Sequence, residues 1–215
     1  MRHIHLPTKA RMTSDLVPDV AMTHGQAVWV LSAMGFSEGV TKSTFNHYIK
    51  SLRKLGLPFA RGEHAERPGR LVHYSYNHLM ELSVALTLRI YGTLPDRVLE
   101  GIIQFRRDLY ALYRRAYLEY DTGLGAVVSI SAKNRSRFEM SGLYLDLRIR
   151  FGGGRILEFG PPRVLSPFEA IRVYSKLDTP GRAHLPFNLS AMAINLVDLT
   201  VAAPKMRGGS PDHPR

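Results

Sequence analysis

Apolar residues recur at helical spacing through the first half of the chain and alternate through part of the second, so helices followed by strands are predicted. Residues 1–22, with Pro7, Pro18 and no sustained period, are expected to form a flexible arm. Ala27, Val28, Leu31 and Met34 predict a short, largely buried helix from His24 that ends near Gly35. After the turn GFSEGV, Thr41 offers an N-cap oxygen, and Phe45, Tyr48, Ile49 and Leu52 mark a second helix that stops at Gly56 and Pro58. The polar loop RGEHAERPGR followed by LVHY has the composition of a wing, a Gly/Pro-bearing loop flanked by short extended pieces. Ser75 can cap the buried helix that follows, with His78 in the place of a capping-box acid.

Gly92, Thr93, Leu94 and Pro95 interrupt this pattern, and a single long helix is predicted from about 95 to 120, with Asp96 at its positive end. Val98, Ile102, Phe105, Leu109, Leu112, Ala116 and Tyr120 form a stripe along it, suited either to the chain's own core or to a seam between two copies. Residues 121–125 read as a boundary. VVSIS and LYLDLRIRF predict strands, the latter with Leu143, Leu145, Leu147, Ile149 and Phe151 on one face, and Gly152 to Gly154 predict a hairpin into RILEF. Ser166, Pro167 and Glu169 form a capping box opening a helix to about 177. DTPGRAHLP reads as a loop, INLVDLTVA as extended, and 204–215 as a disordered tail. The expected fold class is α+β: an arm (1–22), a mainly helical unit (23–94), a linking helix (95–121), a smaller α+β unit with an antiparallel hairpin (122–203) and the tail.

Composition narrows the function. The 215 residues are 45% apolar and 22% charged, a globular balance, and the absence of cysteine excludes disulfides, thiolate metal sites and thiol nucleophiles. No apolar run reaches the ~18 residues needed to cross a bilayer, and the N-terminal stretch lacks the apolar block of a signal peptide, so a cytoplasmic protein with no membrane partner is expected. A net charge of +11 calls for a polyanion, nucleic acid first. From Thr41 to Arg61 stand Lys42, Lys50, Arg53, Lys54 and Arg61, with no acid among them. A helix that reads DNA presents short polar groups at its first turn and cations further along. Thr41, Lys42, Ser43 and Thr44 open this helix, Asn46 and His47 are candidates for base edges, and Lys50, Arg53 and Lys54 for phosphates.

The stretch TKSTFNHYIKSLRKLGLP resembles the recognition helix of MerR-family winged helix-turn-helix regulators. HYSYNHLMEL resembles that family's Tyr-Ser segment after the wing, and LRIYGTLPDRVLEGI its connector, the three matches falling in order over about residues 24–105. The resemblance implies a winged helix-turn-helix over 23–94 and DNA contacts from Tyr48, Arg70 and Tyr74 besides those above; the helix over 95–121 is expected to link the two units or to dimerise. The chain departs from the family in its longer GFSEGV turn and in Val72, which occupies the wing arginine position.

No HExxH, GxSxG, Walker A or GxGxxG occurs, and the histidines lack metal-ligand spacing, so no enzyme, metal or cofactor is expected. The expected function is a sequence-specific, double-stranded-DNA-binding transcriptional regulator acting as a homodimer. Its C-terminal sheet would sense a small-molecule or protein effector, or complete the dimer. A replication, partition or recombination accessory factor and an RNA- or protein-binding adaptor are the alternatives.

Overall fold

The computed structural model describes residues 19–59, 72–92, 96–119, 142–152, 155–175 and 182–205. The expected arm up to residue 18, wing loop, boundary at 121–125, VVSIS strand and tail from 206 lie outside these residues. The expected α+β class holds: seven helices and a small antiparallel sheet are described.

Helix α1 (His24–Leu31) starts at Thr23, whose hydroxyl accepts from the Gln26 N–H while the Gln26 side chain accepts from the Thr23 N–H, a closed capping box. It runs into a widened turn, Ser32–Phe36, which Gly35 ends with a φ of +95°. Helix α2 (Lys42–Leu55) begins at Thr41, which accepts from the Thr44 N–H, and stops at Gly56 in the left-handed region. Helix α3 (Tyr76–Gly92) is buried over most of its circumference, from Leu79 to Leu86, and forms the centre of the helical layer. The predicted Ser75–His78 cap is present: the His78 N–H donates to the Ser75 hydroxyl and the Ser75 N–H to His78 Nδ1.

The single helix expected over 95–120 is two, α4 (Asp96–Gln104) and α5 (Arg106–Glu119), separated at Phe105. A ring from a distant strand packs at this point, while the Phe105 N–H to Gly101 carbonyl and Leu109 N–H to Phe105 carbonyl bonds run on across it. The Phe159 ring stacks on Phe105 with centroids 6.1 Å apart and lies so close over Gly101 that a Cβ there would stand 2.4 Å from it. Val98, Ile102, Leu109 and Ala116 of the expected stripe are buried in the chain's own core, where α5 packs against α3 and α7.

Strand β1 (Tyr144–Gly152) is the hub of the sheet. It pairs antiparallel with β2 (Arg155–Phe159) and β3 (Arg163–Leu165) along one side and with β4 (Arg182–Asn188) along the other. Leu145, Leu147 and Ile149 turn inward and join the helical core, as their alternation predicts. Helix α6 (Pro167–Tyr174) opens on the predicted box, with Ser166 accepting from the Glu169 N–H and the Glu169 carboxylate accepting from the Ser166 N–H.

INLVDLTVA, expected to be extended, is instead part of helix α7 (Leu189–Ala202), capped by Asn188, whose side chain accepts from the Ala191 N–H. Its β-branched residues suggest a strand, but Leu189, Ala193 and Leu196 recur at helical spacing and are buried against α1, α3 and α5. Burial along that stripe outweighs intrinsic propensity. One buried apolar cluster therefore runs from Met22 to Leu196.

A charged network crosses this core. Glu81 on α3 is fully buried: its Oε1 accepts from Arg106 Nε and lies 2.9 Å from Arg106 Nη2 as well, its Oε2 accepts from the Tyr110 hydroxyl at 2.7 Å, and Arg106 Nη2 also donates to the Gly56 carbonyl at 2.6 Å. One guanidinium thus ties the end of α2 to α3 and α5.

Candidate nucleic-acid interface

Helix α2 is divided lengthwise by the chemistry of its residues. Phe45, Ile49 and Leu52 are buried, which fixes the helix on the core by the hydrophobic effect. At 3.6 residues per turn, Lys42, Ser43, Asn46, His47, Lys50, Arg53 and Lys54 fall within one arc of about 140° on the other side. Lys42, Ser43, His47, Lys50, Arg53 and Lys54 are exposed, and Asn46 is half-buried. Fourteen residues make a rod of roughly 21 Å. Its four cations make no ion pair among the described residues. Their charge faces solvent uncompensated, and α2 itself contains no acid.

The remaining expected residues divide. Thr41 and Thr44 share a hydroxyl contact of 2.9 Å at the start of the helix, Thr41 exposed and Thr44 half-buried. Tyr48 is half-buried against the core. Arg61 and Arg70 lie outside the described residues. Tyr74, assigned a phosphate by the resemblance, is 1% exposed and edge-on to Phe59, with ring centroids 5.1 Å apart. Its backbone pairs with Met22, holding the approach to α1 beside the approach to α3.

The exposed group at that place is His24, the first residue of α1, whose Nδ1 lies 3.0 Å from the Tyr74 hydroxyl. Partial desolvation of its ring, then the positive fields of Arg53 and Lys50, hold His24 below the ordinary imidazole value. Burial raises Tyr74 above the ordinary phenol value, with the field of Arg53 acting in the opposite sense. His24, Lys50 and Arg53 thus share one electropositive corner that also receives the positive end of α1. The sequence signal for it was slight: a histidine directly after an N-cap threonine.

Among the described residues no group of three His, Asp or Glu side chains could hold a metal ion, and no helix is long and apolar enough to cross a membrane. Comparison of the chain with protein-family models, curated proteins and solved structures finds no match.

Proposed function

We propose that the chain is a sequence-specific binder of double-stranded DNA that lays the exposed face of α2 in the major groove and acts as a transcriptional regulator. The observation that carries this reading is that face: a rod of groove dimensions, pinned by three buried side chains and presenting four cations, without an ion pair among the described residues, with Ser43, Asn46 and His47 between them. Lys42, Lys50, Arg53 and Lys54 hold phosphates, and Asn46 and His47 meet base edges. The order α1, turn, α2 is that of a helix-turn-helix, which supports the MerR-like winged arrangement. Two copies related by a two-fold axis read half-sites about one helical turn apart, because one such helix spans too few base pairs to specify a site.

The test is selection of duplexes from a random pool at about 0.15 M salt, followed by anisotropy titration of the winners across a salt series. An enriched inverted repeat is expected. Lys50→Ala and Arg53→Ala each lower the slope of log K against log salt by ~0.9 on every duplex, whereas Asn46→Ala or His47→Ala costs ~1–3 kcal/mol at particular base pairs only. Unchanged slopes in both cation variants would remove α2 from the interface.

A further inference from the structure

The outer face of the sheet carries a second cationic constellation. On β1, Leu145, Leu147 and Ile149 face the helices, so Asp146, Arg148 and Arg150 face the other way. Strand register sets Arg163 of β3 against Asp146, His184 of β4 against Arg148, and Glu158 of β2 against Arg150. Partners in an antiparallel ladder share a face, so these six side chains gather on one side of the sheet. An open cleft of about 360 Å³ lies among them.

Glu158 lines the cleft and Asp146 lies buried beneath Arg163 and His184 of its lining; both acids are already engaged. Asp146 is fully buried and receives Arg163 Nε at 2.8 Å and His184 Nδ1 at 2.9 Å. Glu158 pairs with Arg150 at 2.9 Å. Arg148 has neither carboxylate: Nη2 donates to the Pro161 carbonyl at 3.1 Å, and Nε is buried against Gly160 with no acceptor among the described residues. A charged donor kept from both water and an acceptor costs stability, and among the described residues three guanidinium groups line the cleft against two carboxylates, Glu158 in the lining and Asp146 buried beneath it. The planar fork of arginine matches carboxylate and phosphate oxygens. A cleft of this size lies at the small end of the range for metabolite sites, ~300–1,000 Å³.

We propose that this cleft binds a small metabolite through an oxyanion group, carboxylate or phosphate, with Arg148 as the principal contact and Arg150 and Arg163 at its rim. The proposal goes beyond the DNA reading and does not depend on it. Glu158 and Gly160 of the cleft flank Phe159, whose ring stands at the junction of α4 and α5, so an occupied cleft bears on the helical layer through one residue.

The test is isothermal titration of the full chain with inorganic phosphate in one arm and malonate in the other. Saturable binding of one equivalent in either arm is expected, and the arm that saturates more tightly tells a phosphorylated ligand from a carboxylated one. Arg148→Met weakens it about tenfold or more. Arg148→Lys keeps the charge without the fork and weakens it by a smaller factor, with a far-UV spectrum unchanged from the parent. A Lys50→Ala/Arg53→Ala double variant, which disables the α2 surface, leaves the binding as it was. No saturable binding in either arm, or binding that survives at Arg148 and is lost with the α2 pair, would overturn the proposal. Neither result touches the salt slopes that decide the DNA reading.

Discussion

Replacing Arg106 by Ala is expected to destabilise the fold by about 3–5 kcal/mol near neutral pH. Glu81 is fully buried and takes its donors from Arg106 and Tyr110. The substitution removes the guanidinium bonded to it and leaves a phenol, while the Gly56 carbonyl loses its 2.6 Å donor. A hydrogen bond to a charged group contributes ~1.5–3 kcal/mol, and an unpaired buried carboxylate adds its desolvation cost, so the total reaches that range. In a chain of this size the midpoint of melting falls by about 6–20 °C.

The pH dependence fixes the cause. Burial holds the Glu81 carboxyl above its ordinary value of 4.5, against the pull of Arg106 and Tyr110. The native state therefore holds this proton more tightly than the unfolded chain, and stability declines as pH rises from the unfolded value through the raised native one. Without Arg106 the native value climbs further, so the deficit is larger in urea titrations at about pH 8 than at about pH 5.5. A Glu81→Leu/Arg106→Leu variant, which removes both charges, should recover most of the loss. A deficit below ~1 kcal/mol at the higher pH, or one identical at both, would refute the reasoning.

Two further outcomes follow from close contacts. Gly101→Ala should cost about 1–3 kcal/mol in denaturant titration, because the new methyl meets the Phe159 ring, and adding Phe159→Ala should reduce the penalty of the Gly101 change measured in that background. His24 starts below the ordinary imidazole value, and a phosphate beside Lys50 and Arg53 would raise it, so the proposed DNA binding is expected to take up a proton. Affinity should then rise as pH falls from about 7.5 to 6, and His24→Gln should flatten that rise in anisotropy titrations.

Helix α2 and its exposed cationic face were legible because their determinants are local: the Thr41 cap, the Gly56 stop and the spacing of Phe45, Ile49 and Leu52 all lie within sixteen residues. The Ser166 box and the alternation along β1 were legible for the same reason. The break at Phe105 was not, since apolar spacing continues through it and the ring that packs there, Phe159, lies in a distant strand. Arg106 reads as one of several solvent-facing arginines until Glu81 is seen facing it from α3. His24 acquires its place from Tyr74 and Arg53, both far along the chain. In α7 the helical spacing was present, but its β-branched residues masked it.

Helix α7 closes the core over α1, α3 and α5, and Gln26 Nε2 donates to the Pro204 carbonyl, joining residues 178 apart in sequence. During synthesis the apolar sides of the first helices emerge long before the segment that covers them. At ~5–20 residues per second, Val30 and Leu31 wait on the order of ten seconds or more for Leu196 to leave the ribosome. Nascent chains of this protein are therefore expected to expose that apolar surface until α7 is made, and a chain that stops before residue 189 should be cleared faster than the full chain in a pulse-chase.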